Sequence, residues 1–416
     1  MPKIWLPNFE DVALQSDPTY GATFSPEMLS QYYCRSLFWL SPNDKIVLPC
    51  SIDLDYANYV AQLCGFHRNS SWLLQTTYSG ARKFNLSNSI LLNDEVLTQL
   101  RKLAGTECYT VEPYIESTYV SALCKSIRIP LTHTSTELVE SGLIDRLNDK
   151  VFFKELSNML GIRTVSSRHF YEKESLLTYL GDLGLEKICI KKAFHSGGRG
   201  NIVGEAQKVI EQLALWYECG AILVEPYIEF IEVVGSLAYL TEQECTFLGV
   251  DLHISEGGCW KGFSYPYHDT ETANTIETLT MLYAERIHRM GVRGYLNVDW
   301  GISRDGIYAL EINMRHNGFW AALSLGTRFF KSLEASLQIL YIENFPVNQN
   351  HNTQSIISAL ARVRADNAPL LVMNDDAVQG AVLMTPPRCG YLALALFGSS
   401  VEFLLHAKAL VEQTIA

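Results

Sequence analysis

Residues 294–315 constrain this chain more than any other segment. They read Gly294-Tyr-Leu-Asn-Val-Asp299-Trp-Gly-Ile-Ser-Arg-Asp305-Gly306-Ile-Tyr-Ala-Leu-Glu311-Ile-Asn313-Met-Arg315. Val298, Trp300 and Ile302 alternate with Asn297, Asp299 and Gly301; Tyr308, Leu310 and Ile312 alternate with Ala309, Glu311 and Asn313. Successive strand side chains point to opposite faces, so each half is a strand with one apolar face. A three-residue loop, Arg304-Asp305-Gly306, with glycine at the left-handed position, closes the two into a hairpin. Pairing symmetric about Asp305 then sets Asp299 opposite Glu311 and Asn297 opposite Asn313. Facing side chains have Cβ atoms about 5 Å apart, where like charges destabilise. At about 4 Å and an effective dielectric near 20, the repulsion is roughly 4 kcal/mol. A divalent cation removes that penalty, and the oxygen ligands of Asp299, Glu311 and Asn313 suit Mg²⁺. Arg315 points the same way. The bland alternative is a half-exposed hairpin whose polar face only meets solvent.

Two further segments bear on that choice. In Ile188-Cys-Ile-Lys191-Lys192-Ala-Phe-His195-Ser-Gly197-Gly198-Arg199-Gly200, a strand ending in lysine runs into a glycine-rich loop. Such a loop lets backbone N–H groups approach phosphate oxygens, and lysine supplies a point charge. No GK[ST] follows and no helix opens after it, so it is neither a Walker motif nor a dinucleotide fingerprint. A structural β-turn is an equally good account of this loop taken alone. The other segment, Ala221-Ile-Leu-Val-Glu225-Pro226-Tyr227-Ile228-Glu229-Phe-Ile-Glu232, is an apolar strand running through an acidic linker into another strand.

Around these motifs the chain divides. Residues 1–130 alternate strand patterns (3–7, 45–49, 89–92) with helical ones (56–64, 95–103), which suggests a small α/β domain. Helices follow, the clearest over 149–160 with Lys150 in its first turn and Gly161 as its stop. Strands at 187–191, 201–203, 221–224, 233–240, 246–253, 294–300 and 307–313, with a helix at 272–290, make an α+β middle, divided here at 131–222 and 223–345. Residues 346–416, ending in a strand (391–397) and a helix (401–413), read as a small C-terminal domain. A net charge of -12 argues against nucleic acid as a partner. The ten cysteines form no CxxC pair, which favours reduced thiols and a cytoplasmic protein. No apolar stretch is long enough to cross a membrane.

In this order the three motifs resemble the ATP-grasp superfamily, over about residues 148–315. The resemblance implies a nucleotide held between two α+β subdomains, behind an N-terminal pre-ATP-grasp domain. It gives ATP phosphates to Lys150, to Lys191 (with Lys192 as substitute) and to the loop glycines Gly197, Gly198 and Gly200. It gives the nucleoside to Glu225, to the backbone of Tyr227 and Ile228, and to Glu232. It gives two Mg²⁺ ions, with Mn²⁺ able to replace them, to Asp299, Glu311 and Asn313, and the acyl phosphate to Arg315. In layout, and in the run from Glu311 to Gly318, the chain is similar to peptide ligases of the pheganomycin type. The implied activity joins a small-molecule or peptide carboxylate to an amine through an acyl phosphate, in a protein that is a candidate homodimer. The alternatives are an ATP-grasp carboxylase or phosphotransferase, and a non-catalytic ATP-binding regulatory module. Lys261, in the loop after strand 246–253, is a candidate for the γ-phosphate or a substrate carboxylate, with a surface lysine as the even alternative. Arg293 is a candidate for the acyl phosphate, against a salt bridge at a helix-to-strand turn. For His195, His253 and His316 a structural role is the expectation.

Overall fold

The computed structural model describes residues 1–14, 26–49, 51–65, 73–76, 85–106, 108–183, 186–194, 201–213, 221–256, 259–333, 336–366, 368–374 and 377–416. The N-terminal part is an α/β unit. Strands β1 (Lys3–Leu6), β2 (Lys45–Leu48), β3 (Leu73–Gln75) and β4 (Thr110–Pro113) form a parallel sheet in the order β3-β2-β1-β4. The expected helices are Leu54–Cys64, capped by the Asp53 side chain on Tyr56 N, and Asp94–Thr106. The strand expected at 89–92 is not one. Asn85 caps a helix, Leu86–Leu91, by accepting from Asn88 N, and Leu86 and Ile90 bury one face at the four-residue spacing of a helix.

The helix Lys150–Met159 is the one expected: the Asp149 carboxylate accepts from Val151 N, Phe153 and Leu156 are buried, and Gly161 leaves the helix at φ 69°. A second sheet, in the order β5-β8-β6-β7, holds β5 (Arg168–Phe170), β6 (Lys187–Lys192), β7 (Ile202–Glu205) and β8 (Ile222–Pro226). The largest sheet runs β13-β12-β9-β10-β11-β14-β18-β17. Its strands are β9 (Glu232–Leu240), β10 (Cys245–Glu256), β11 (Cys259–Tyr265), β12 (Gly294–Ser303), β13 (Gly306–Met314), β14 (Gln338–Pro346), β17 (Gly380–Leu383) and β18 (Tyr391–Gly398). A short ribbon, β15 (Arg364–Ala365) with β16 (Ala368–Pro369), stands apart. The last two long strands are therefore hydrogen-bonded into the same sheet as the 294–315 hairpin, and the helix Val401–Ile415 packs on β18.

One face of this sheet is apolar. Val234, Ala238, Leu296, Val298 and Trp300 pack with Ile276, Tyr283 and Ile287 of the helix Thr270–Arg289 in one core. Trp300 is fully buried, with Nε1 donating to Ser236 Oγ at 2.9 Å; loss of such a side chain costs about 3–5 kcal/mol. The opposite face carries Gly235, Asp251, Asn297, Asp299 and Glu311, and also Leu237, which is buried in a second apolar core.

At Gly262 the backbone φ is +152°, and a Cβ there would lie 2.0 Å from the carbonyl oxygen of Tyr341 on β14. A backbone atom inside a sheet cannot give way. Gly262→Ala should therefore cost roughly 3 kcal/mol from strain and overlap together, read as a lowered denaturation midpoint with an unchanged m-value.

Candidate active site

The hairpin pairs as expected where it matters: Asp299 lies opposite Glu311 and Asn297 opposite Asn313. The route differs. The turn is the two-residue Arg304–Asp305, with Ser303 paired to Gly306, and a β-bulge beyond Asp299 lets the register slip by one. The extra residue, Leu310, cancels the shorter turn. It also changes the apolar face, which runs through Ile307, Ala309, Ile312 and Met314 instead of Tyr308 and Leu310. Tyr308 instead meets Arg163, whose guanidinium lies 4.1 Å from its ring centre.

Neighbouring strands extend the row of acids. Asp299 pairs with Gly235 on β9, and Gly235 with Asp251 on β10. Asp251 is 1% exposed, and among the described residues neither of its carboxylate oxygens has a hydrogen-bond partner. His253 Nε2 lies 3.7 Å from Asp251 and 4.0 Å from Asp299. Gly235 makes the convergence possible: a Cβ there would stand 2.5 Å from Asp251 Oδ1 and 2.8 Å from His253 Nε2. Burial pushes the Asp251 carboxyl well above its ordinary range. Burial, then the charge of Glu311, does the same for Asp299. Glu311 would also rise on burial, but the Lys150 ammonium, 2.7 Å away, holds it near about 2. Burial brings His253 down to about 4. The charge of the facing pair thus rests on Glu311, against a lysine. Asn313 Nδ2 lies 3.4 Å from Asp299 and 3.5 Å from Glu311; a bound cation would call for the amide turned to offer oxygen.

The residues fit a divalent cation. Two facing carboxylates, a third with unmet oxygens and an amide converge on one face, and the strand between them is kept bare by glycine. Lysines complete the site from the second sheet. Lys191, next to last in β6, pairs with Glu225 at 2.8 Å, while Lys154, one turn after Lys150, lies 2.5 Å from the other oxygen of Glu225. Burial alone would lower the Lys191 ammonium; Glu225 raises it above its usual value, with Glu311 adding to the effect. Burial would raise Glu225, yet Lys191 and Lys154 hold it below the usual range. Lys150 N donates to Ala193 O at 3.0 Å, which ties the helix to the end of β6.

Other expected residues fall differently. His195, Gly197, Gly198 and Gly200 lie outside the described residues. Tyr227 N–H is spent on Lys187 O at 3.0 Å, and the Lys187 ammonium sits 3.7 Å from the Tyr227 ring centre. Glu232 accepts from Tyr267 Oη at 2.5 Å. Lys261 is on strand β11 and not in a loop, with Nζ 3.7 Å from Glu256. Arg293 turns Nη1 to the carbonyls of His288 and Val292, 2.8 and 2.9 Å away, closing the end of the helix Thr270–Arg289. Its Nε lies 3.6 Å from Glu242, the salt bridge expected as the structural alternative, and the residue also lines a cavity beside Arg315. Arg315 does join the site: its Nη1 donates to Asn148 Oδ1 at 3.2 Å, beside Lys150. It also borders this small half-open cavity of about 20 Å³, shared with Tyr114, Glu116, His133, Arg293, Tyr295 and His316. Burial pushes the Glu116 carboxyl up to about 7. Sequence reasoning missed Lys154, Gly235, Asp251 and Glu116. Lys154 shares a helical face with Lys150, and a glycine inside a strand marks a close approach; for Glu116 no local signal existed.

Comparison with known proteins agrees with this architecture. A family model described as the pre ATP-grasp domain matches residues 33–129. The arginine-specific large chain of carbamoyl phosphate synthase from Geobacillus stearothermophilus is 28% identical over 184 residues, 42% of this chain and 17% of that one. The large chain from Thermus thermophilus is 27% identical over 182 residues, 41% and 17%. The chain thus spans about a sixth of the length of these relatives. Among solved structures, N5-carboxyaminoimidazole ribonucleotide synthetase from Thermus thermophilus superposes with a TM-score of 0.58 at 15% identity, over 100% of this chain and 99% of that one. The Aspergillus clavatus N5-carboxyaminoimidazole synthase, solved with ADP and its aminoimidazole ribonucleotide, gives 0.61 at 13% identity, over 99% of each chain. Biotin carboxylase from Campylobacter jejuni gives 0.62 at 12% identity, over 100% and 91%.

The two facing acids predict opposite changes on neutralisation. Glu311→Gln removes the carboxylate 2.7 Å from the buried Lys150 ammonium and should cost roughly 3 kcal/mol. Asp299→Asn removes a carboxyl whose ionised form burial and Glu311 disfavour, and should stabilise the metal-free protein at neutral pH by about 1 kcal/mol. The Glu311 carboxyl is depressed in the folded state, so its contribution is complete above its ordinary value of 4.5 and fades as pH falls toward about 2. Urea midpoints of Glu311→Gln and wild type should therefore differ at pH 7 and converge near pH 2–3. A gap that stays constant with pH would contradict the ion pair.

Proposed function

This chain has the ATP-grasp fold behind a pre-ATP-grasp domain, and from that premise we propose that it is an ATP-dependent carboxylate–amine ligase working through an acyl phosphate. The observation that carries the reading is the convergence of Asp299, Glu311 and Asn313 on one face of the largest sheet, with Lys150 brought to Glu311 by a helix, Lys191 facing them electrostatically from the second sheet, and Arg315 beside Asn148. Phosphoryl transfer asks a protein for positioning and charge neutralisation, and these residues offer both.

In the structure Lys150 and Lys191 hold Glu311 and Glu225. Nucleotide phosphates take the place of those carboxylates on the lysines. Asp299, Glu311 and Asn313 would hold Mg²⁺, which neutralises charge at the β- and γ-phosphates. The acid oxygen attacks the γ-phosphorus, the bond to the β,γ-bridging oxygen breaks, and ADP leaves with that electron pair. Arg315 steadies the transferred phosphoryl group. An amine then attacks the acyl carbon, and phosphate leaves with the electrons of the C–O bond. A peptide or amino acid as the acid is the reading carried from the sequence. Bicarbonate is the second reading, favoured by the fold neighbours named for carboxylation.

Millimolar Mg·ATP should raise Tm, because a ligand at 100 times its Kd adds about 2.7 kcal/mol to folding. Lys191→Ala should reduce that shift. ADP release screened against pooled amino acids, short peptides and bicarbonate identifies the acid. An ¹⁸O-labelled acid should deliver one labelled oxygen to inorganic phosphate. Label in AMP, or release of pyrophosphate, rules out the acyl phosphate route.

A further inference from the structure

The segment that follows Arg315 is tied to the N-terminal sheet through one carboxylate. Glu112, on β4, is fully buried and receives three side chains. Lys3 Nζ donates to Oε2 at 2.7 Å, and the Nε2 atoms of His133 and His316 lie 2.7 and 2.9 Å from Oε1. Burial would raise the Glu112 carboxyl; the two imidazoles hold it well below the ordinary range, so it is ionised. An ionised carboxylate only accepts. Both rings therefore carry a hydrogen on Nε2, and a neutral ring keeps its lone pair on Nδ1. The three residues are close enough to hold a metal ion, but Lys3 already neutralises Glu112 and the imidazoles donate to it.

His316 is fixed from every side. Its backbone N donates to Tyr114 O at 3.1 Å, and its ring lies 4.0 Å from Trp320 and 4.8 Å from Tyr295, centre to centre. The residue is 3% exposed, and Nδ1 has no hydrogen-bond partner among the described residues. An unmet buried acceptor costs stability and calls for a partner, whether a water, an ion or a reacting group. His316 borders the cavity that holds Arg315 and Glu116. A nitrogen with a lone pair, held by a carboxylate on its far side, is the arrangement of a general base oriented by a third group.

We propose that His316, kept in its Nε2–H tautomer by Glu112, receives at Nδ1 the proton of the amine that attacks the activated acyl group. The assignment rests on the ligase reading above. As the C–N bond forms, the C–O bond to phosphate breaks and phosphate departs with its electron pair. One N–H proton passes to Nδ1 and then to the departing phosphate. The charged groups around the ring are Glu112, His133 and Lys3 on one side and Arg293, Arg315 and Glu116 along the cavity. Burial, with His133 and Lys3, keeps the imidazole neutral despite Glu112. His316 is the catalytic residue here, and Glu112 positions it.

The test uses the full chain, Mg·ATP and the twenty amino acids offered singly and as dipeptides, with ADP and amide product measured separately. Wild-type ADP release checks the ligase reading itself; its absence on every acid sinks that reading, and this one with it. If ADP is released, His316→Ala should keep the Mg·ATP shift in Tm and the release of ADP, while amide formed per ADP falls by about 100-fold or more. Added imidazole should restore part of it. Glu112→Gln should lower kcat for amide formation with little change in KM. Amide yield unchanged in His316→Ala, or lost in Glu116→Gln alone, overturns the proposal. Should His316→Ala fail to fold, ¹⁵N chemical shifts of the wild-type imidazole decide: a hydrogen on Nδ1 at neutral pH refutes it.

Discussion

One face of a β-sheet carries more negative charge than it can hold alone, and the surrounding architecture follows from how that charge is met. Asp251, Asp299 and Glu311 stand on neighbouring rows of three strands, with only Gly235 between the first two. Burial holds both aspartate carboxyls well above their ordinary range and a lysine sits on Glu311, which makes the row bearable without a cation. Each remedy depends on a different element. The lysine arrives at the start of a helix whose first turn is hydrogen-bonded to the end of β6, and the bare strand needs a residue with no side chain.

The other face supplies the rigidity that such crowding requires. Val298 and Trp300 sit in a continuous apolar core with the helix Thr270–Arg289, and Ser236 links Trp300 to Thr280 by hydrogen bonds. A close-packed interior resists displacement, so the carboxylates cannot spread apart to lower their repulsion. The crowding is therefore held in place for a ligand to relieve.

The hairpin is legible in the sequence because period-two alternation and two acids leave few pairings. Yet the turn is one residue shorter than its composition suggests, and the bulge at Leu310 leaves no local trace; the two departures cancel at Asp299 and Glu311. A bulge has no composition of its own; it shows only in which residues find the core. Asp251 and Gly235 stay hidden for a related reason, since neither is unusual until β9 and β10 are laid beside β12. The helix Leu86–Leu91 reads as a strand because a short apolar run carries both periods, and the Asn85 cap decides it. Lys150 and Lys191 are placed by resemblance, and their partners Glu311 and Glu225 lie far away in sequence. Glu112 and His316 are 204 residues apart, and no local pattern links them.

The pairing of Lys150 with Glu311 makes the nucleotide-free site an ion-exchange resin in miniature. The same carboxylate that neutralises the lysine is wanted by a cation, and the same lysine is wanted by a phosphate. Neither newcomer can be accommodated cheaply by itself, because each would leave its counterpart's old companion bare in a buried place. On the proposed reading, when they arrive together each takes one member of the internal pair, so each group keeps a counter-charge. If the site takes a metal–nucleotide complex as proposed, the contact at 2.7 Å is an interlock that favours that complex as a single guest over either component alone.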